Sequence, residues 1–336
     1  MLLRIYKSTQ PIVILLIIFT VAVLWIKPLF YSPFAFAFDD NAMPFYETIL
    51  RILVFINIRI LFPLISFILI LVQSYLLIRI NNKYRLIDSR TYLPSLFYLL
   101  MVSSINPLYI FGPVYFAGIF LLMAIERVLA SHKQDIALSH FFDASLLISL
   151  GSLFYFHLIY FIFILWIALV LMRTIKWREW MVTIIGALVP YLFVFMVYFM
   201  VYNSPAHFFE TIKSQYTKST LTGFKQLSTS YIIFVVYLLF LMIISSYHTF
   251  LVFQAKNIST RKYTSLLLWI FFISLIIYAL VPGVSLEIFL IVSFSIPYQL
   301  SHYFIMTRFK KLASLLFMVL FLLIIYILFF QHIQLL

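Results

Sequence analysis

The stretch Asp143–Arg173, DASLLISLGSLFYFHLIYFIFILWIALVLMR, decides the fold, because it is too long for one simple membrane crossing and short for two. At about 1.5 Å per residue a straight helix through it would overshoot a hydrocarbon core of about 30 Å. Two short helices bent near His157 are the alternative. An extra crossing here moves every later loop to the opposite side of the membrane, so the charges of those later loops decide between the two readings.

Outward from this stretch, the breaks between apolar runs alternate in charge. One set is basic: Arg4/Lys7, Lys83/Arg85/Arg90, Arg127/Lys133, Lys176/Arg178, Lys256/Arg261/Lys262 and Arg308/Lys310/Lys311. With two crossings in 143–173, all 23 lysines and arginines except Lys27, Arg51, Arg59, Lys213, Lys218 and Lys225 fall on one side. With one crossing, Lys256, Arg261, Lys262 and the Arg308 cluster would move to the other side. The positive-inside rule therefore predicts about eleven spans, with the N-terminus inside and the C-terminus outside. The fold class expected is all-α, a polytopic transmembrane helical bundle, with residues 1–336 forming a single integral membrane domain.

Composition supports that class. A chain of 336 residues that is 65% hydrophobic and 10% charged has too little polar surface to cover a water-soluble core. The net charge of +13 would suggest nucleic acid in a soluble protein. Here the cations lie in short loops beside apolar runs, where they anchor against an anionic leaflet, so membrane lipid is the expected partner and nucleic acid is not. The absence of cysteine excludes disulfides, thiolate metal sites and cysteine nucleophiles.

Apolar runs of crossing length lie near 11–30, 61–80, 180–202, 230–254, 263–281, 286–305 and 312–332. The run from Tyr92 to Ala130 is broken into a hairpin by Pro107 and Gly112-Pro113. Arg4 and Lys7 before the first run, with Ala35-Phe36-Ala37 beyond it, resemble a signal peptide in outline. The small-residue site falls too far past the apolar core, and a retained anchor is the expectation.

Two predicted outer segments carry the candidate chemistry. The first, 31–60, holds Asp39-Asp40 and then an apolar pattern interrupted by Glu47, Arg51 and Arg59, which reads as a helix lying in the interface. Paired carboxylates there suit a catalytic base or a ligand for a divalent cation on a phosphate; a solvated loop in which Asp40 or Asn41 caps the next helix accounts for them equally simply. The second, 203–230, holds His207, Glu210 and Lys213 on a Ser/Thr-rich stretch. Together with His157 and the two arginines, these three form the candidate substrate-binding set, and interfacial snorkelling is the competing account of the cations. On the inner side, His132/Asp135 and His140/Asp143 have a spacing that could share a helical face, but a hydrated loop with Asp143 capping the following helix explains them without a metal. Glu126 beside Arg127 reads as a local pair. Glu287, after Pro282-Gly283, either lines an outer cavity or sits at the surface. Polar residues within the spans, such as Gln73, Asn106, Gln299 and His302, are few, and ionisable groups of the kind that carry ions at mid-membrane are scarcer still.

The arrangement of Asp39, Asp40 and the Met43–Ile60 segment after a first span resembles the type C glycosyltransferase superfamily over roughly the first 80 residues. That resemblance implies a polyprenyl-linked glycan donor, with Asp39 or Asp40 as base or metal ligand and Arg51, Arg59 and Lys213 as phosphate ligands. Residues 115–190, with Glu126-Arg127, Ser131, Phe142-Asp143-Ala144 and Ser152-Leu153-Phe154, resemble an uncharacterised family of multi-pass inner-membrane proteins of Bacteroidota. This second resemblance implies the bacterial inner membrane and no particular activity. The expected function is envelope biogenesis, as a transferase on polyprenyl-linked glycans at the outer face. The alternative is a non-catalytic subunit working with other membrane proteins, or a transporter of a lipid-linked substrate.

Cysteine labelling tests the topology directly, since the chain has no native thiol. Probes at 83, 133, 178, 261 and 310 are expected inside and those at 40, 213 and 336 outside; 133 and 178 on opposite sides would remove one crossing from 143–173.

Overall fold

The computed structural model describes residues 6, 10, 12–31, 43–56, 58, 60–87, 89–105, 111–134, 137–172, 176–202, 209–210, 212–214, 229–251, 257–281, 283–284 and 286–330. Within them the longer elements are α-helices: α1 (Ile12–Tyr31), α2 (Pro44–Ile56), α3 (Leu61–Tyr84), α4 (Leu93–Val102), α5 (Val114–Ala130), α6 (Leu138–Ser152), α7 (Ile162–Met172), α8 (Trp177–Tyr202), α9 (Thr229–Leu251), α10 (Ile258–Leu280), α11 (Phe289–Val292), α12 (Ile296–Met306) and α13 (Lys310–Phe330). No strand occurs among the described residues.

Five of these helices are long and apolar enough to cross a membrane: α3, α8, α9, α10 and α13. The bent pair Leu286–Val292 and Ile296–Met306 makes a sixth if it is one span. Shorter apolar helices occupy Ile12–Ile26, Leu93–Val102 and Phe156–Met172. Exposed large apolar side chains such as Phe193, Met200, Phe240 and Leu315 cover these helices. In water that surface would be a liability, and in lipid it is the normal outer face, so the chain is a multi-pass helical membrane protein.

The core centres on α4. Its ten residues are all buried, so it is apolar on every side and fits only inside a bundle. Pro94 occupies its first turn, where a missing N–H costs nothing, and Thr91 Oγ1 accepts from Leu93 N at 3.2 Å. α3, α12, α1 and α13 pack around it. Polar side chains tie these helices together. Gln73 of α3 donates to the Tyr115 carbonyl of α5 and accepts from the Tyr98 hydroxyl of α4. Ser74 meets Ser95 at 2.5 Å, Trp25 Nε1 donates to Ser103 at 3.0 Å, and Tyr298 of α12 donates to the Leu77 carbonyl at 2.8 Å.

The run 143–173 is broken, as its length requires. α6 ends at Ser152, residues 153–155 turn, a 3₁₀ helix follows over Phe156–Phe161, and α7 continues from Ile162. Three details differ from the sequence reading. α6 begins at Leu138, so Asp143 lies inside the helix rather than capping it, held 3.8 Å from Arg127 Nε. Glu126 does not pair with its neighbour Arg127; it takes Lys83 Nζ at 2.8 Å and Arg79 Nη2 at 3.4 Å from α3. The run 286–305 is not one straight helix but bends by 47°. Ser293 donates to the Leu290 carbonyl and Ser295 crosses to the Leu267 carbonyl, while Pro297 opens α12. Side-chain bonding of this kind diverts helix carbonyls, and a proline disfavours helical backbone before it.

Cationic helix ends gather at one end of the bundle, hereafter the basic end. There Lys83 meets Glu126, Tyr84 and Tyr263 pack edge to face, Tyr263 donates to the Leu129 carbonyl, and Lys262 Nζ donates to the Met172 carbonyl at the C-terminus of α7. A cation at a helix C-terminus offsets the partial negative charge there.

α6 and α8 cross closely at Gly186, where a Cβ would collide with Ser145 Oγ and stand 2.8 Å from the Phe142 carbonyl oxygen. Gly186→Ala must push the helices apart and is expected to cost about 1–3 kcal/mol. A lowered unfolding temperature in detergent, with no such change for an alanine at the exposed Ile185, checks this.

Candidate functional site

Opposite the basic end, α2 lies as a short amphipathic helix. Pro44 opens it and Glu47 sits in its first turn, both favourable at a helix N-terminus. Leu50 and Leu53 are buried, whereas Arg51 is on the exposed face and pairs with Glu47 one turn earlier. The helix is fastened at its start. Phe45 N donates to the Leu153 carbonyl at 3.4 Å, and its ring meets Phe154 at 5.4 Å. The Tyr46 hydroxyl donates to the Phe111 carbonyl at 3.1 Å, and the two rings stack at 5.9 Å. The start of α2 thus bridges the 153–155 turn and the Phe111-Gly112 turn before α5.

Beside this bridge lies Glu287, in the single turn Leu286–Ile288 that precedes the bent pair. It is half-buried. The three heavy atoms nearest to where a Gly112 Cβ would stand are its carboxyl carbon and both oxygens, at 3.6–3.8 Å. The phenols of Tyr46 and Tyr155 are both held above the usual tyrosine range, first by burial and then by the charge of Glu287. His157 stands edge-on to Tyr155 at 5.3 Å, and the backbone of Gly283, whose φ of 85° suits glycine, lies beside its ring. The His157 Nδ1 and the Tyr155 hydroxyl are buried without a hydrogen-bond partner among the described residues. The result is an acidic, aromatic cluster, here called the cup, where α2, two turns and a 3₁₀ helix meet Gly283 and Glu287. A carboxylate in such surroundings can accept protons or hydrogen bonds from a ligand far more strongly than it could in water.

Of the residues singled out in the sequence, His157 belongs to this cup and Arg51 lies on the helix above it. Glu210 and Lys213 are exposed, in short helical pieces. Asp39, Asp40, Arg59 and His207 lie outside the described residues, and with them the divalent cation that the first two suggested. Asp135 does too; of its neighbours, His132 stacks edge-on against Tyr263, and His140 bonds Gln134 at 2.8 Å. Among the described residues no group of three His, Cys, Asp or Glu could hold a metal ion. Sequence reasoning left Glu287 open between cavity and surface and missed Tyr46 and Tyr155. The signal available was the coincidence of two glycine-proline breaks, at 112–113 and 282–283, on the same predicted side.

No family model matches the chain, and neither the curated proteins nor the solved structures contain a match.

Tyr46→Phe removes the bond to the Phe111 carbonyl while keeping the ring stack, and is expected to cost about 1 kcal/mol. Limited proteolysis should then cut near α2 faster, with the unfolding temperature of the bundle changed by only a few degrees or less.

Proposed function

We propose that the protein crosses a bacterial inner membrane in eleven helical passes, N-terminus inside and C-terminus outside, and works on a polyprenyl-linked glycan at the outer face in envelope biogenesis. The observation that carries this reading is the amphipathic α2, fastened over the cup of Glu287 at the end opposite the cationic helix ends. An amphipathic helix in the interface, beside a carboxylate and directly following Asp39 and Asp40 in the sequence, is where a lipid-borne substrate and its acceptor would meet. Charge agrees with the orientation, since the basic end is the side that faces an anionic cytoplasmic leaflet. The resemblance to the type C glycosyltransferase superfamily points the same way, and that to the uncharacterised Bacteroidota membrane family bears on the inner membrane alone.

In this transfer the acceptor hydroxyl gives its proton to Asp39 or Asp40, and its oxygen bonds to the anomeric carbon. The bond from that carbon to the phosphate oxygen breaks, and the polyprenyl phosphate leaves with the electron pair. Arg51, Arg59 and Lys213 hold the phosphate and offset its growing charge. A second reading, transport of a lipid-linked substrate, is favoured by a buried polar group between α9 and α12. There Thr249 lies 3.1 Å from Gln299 Oε1 and 3.3 Å from His302 Nδ1.

Complementation of a deletion strain separates the readings. Asp39→Asn together with Asp40→Asn is expected to abolish envelope-glycan transfer at unchanged protein abundance, and Arg51→Ala to weaken donor binding by about tenfold. Full complementation by the double amide variant would remove the transferase and leave transport ahead.

A further inference from the structure

At the basic end, two cations share one carboxylate on the outside of the bundle. Arg79 and Lys83, one turn apart on α3, reach the same Oε1 of Glu126 on α5, at 3.4 and 2.8 Å. The three side chains together sum to one positive charge. The acid lies inward and the cations outward: the Glu126 side chain is 12% exposed, those of Arg79 and Lys83 51% and 52%. Arg79 also sits within the span rather than in a loop. It precedes the last residue of α3, Tyr84, by about 7.5 Å along the helix axis, and Glu126 lies a full turn before the end of α5.

The outer surface beside this trio is apolar. Ile68, Val72 and Tyr75 are exposed, and their spacing of three and four residues sets them in one stripe with Arg79 and Lys83. Across the seam the exposed Met123 stands one turn before Glu126, and the Tyr84 hydroxyl closes the end of the seam by donating to the Glu126 carbonyl at 3.0 Å. From Arg79 back to Ile68 is about 16 Å of helix, the depth of one leaflet. A guanidinium facing hydrocarbon is costly unless it meets an anion. An acid dissolved in water would have to leave it to reach Arg79, whereas a membrane phosphodiester already lies at that level and has an acyl chain to cover the stripe. Head-group charge selects further. Phosphatidylethanolamine brings its own ammonium against the two cations, and the single negative charge of phosphatidylglycerol equals their surplus.

We propose that the seam between α3 and α5 at the basic end binds an anionic glycerophospholipid, with its phosphodiester on Arg79 and Lys83 and one acyl chain along Tyr75, Val72 and Ile68. Glu126 then acts on the lipid as well as on the helices: it neutralises part of the charge of both cations and so competes with the head group. The site lies at the opposite end of the molecule from the transferase reading and does not rest on it. A strain without an envelope-glycan defect would count against that reading and leave this site untouched.

The test uses the full chain in nanodiscs holding equal phosphatidylglycerol and phosphatidylethanolamine, with the retained lipid weighed by native mass spectrometry. Retention of phosphatidylglycerol over phosphatidylethanolamine by about fivefold or more is expected, the contribution of one cation at an anionic surface. Arg79→Gln and Lys83→Gln must each remove most of that preference, and the second serves if the first does not fold. Arg308→Gln, which deletes an exposed cation elsewhere at the basic end, must leave it unchanged. Glu126→Gln separates the proposal from a purely structural ion pair. A carboxylate that only braced the helices would lose lipid on removal, whereas one that competes with the head group gains it, by about fivefold. Glycerophosphoglycerol in excess, the same head group without acyl chains, must not displace the lipid. No preference in the unmodified chain, an equal loss with Arg308→Gln, lower retention in folded Glu126→Gln, or displacement by the chain-free head group would overturn the proposal.

Discussion

Gln73 holds the centre of this molecule. Its amide reaches from α3 to the backbone of α5 and to the hydroxyl of Tyr98 in α4, and all three groups are buried. Lipid tails are as apolar as leucine, so burial of apolar surface does little to draw helices together inside a membrane. Close packing and interhelical hydrogen bonds must do it instead. The bonds of Gln73, Ser74, Trp25 and Tyr298 join four helices around α4, and an unmet amide there would be costly.

Around that tied centre the two ends of the bundle are chemically unlike. The basic end spends its charges on one another and on helix termini: Lys83 and Arg79 on Glu126, Arg127 on Asp143, Lys262 on the last turn of α7. Those pairs are half-exposed and salt-screened, worth about 1 kcal/mol or less each, so they add little to what holds the fold. The α2 end has a carboxylate held among phenols and an imidazole. Charge asymmetry thus distinguishes the two ends along a single axis.

Much of the helix plan was legible because a hydrocarbon core imposes a minimum apolar length. α3, α8, α9, α10 and α13 appear within a few residues of the runs that length picks out. The break beside His157 was legible too, through the charges of loops far downstream. The bend at 293–295 was not, since serines interrupt an apolar run too weakly to register; their hydroxyls matter only once the Leu290 and Leu267 carbonyls are in reach. The partner of Glu126 was hidden for a similar reason, because the nearest charge in sequence is not the nearest in space. The cup joins residues 46, 112, 155, 157 and 287, of which Gly112, as a chain break, His157 and Glu287 carried a mark in the sequence and the two tyrosines did not.

The brevity of α4 bears on how the protein is made. Ten residues cover about 15 Å, half the thickness of a hydrocarbon core, so this segment cannot partition stably into lipid alone. One of its main packing partners, α12, is synthesised almost two hundred residues later. Until the ribosome has delivered that helix, α4 must wait beside α3 and the insertion machinery with part of its surface uncovered. Its burial is therefore among the last events of assembly, and a chain cut short before Ile296 would leave a half-length helix exposed to the cell's membrane quality control.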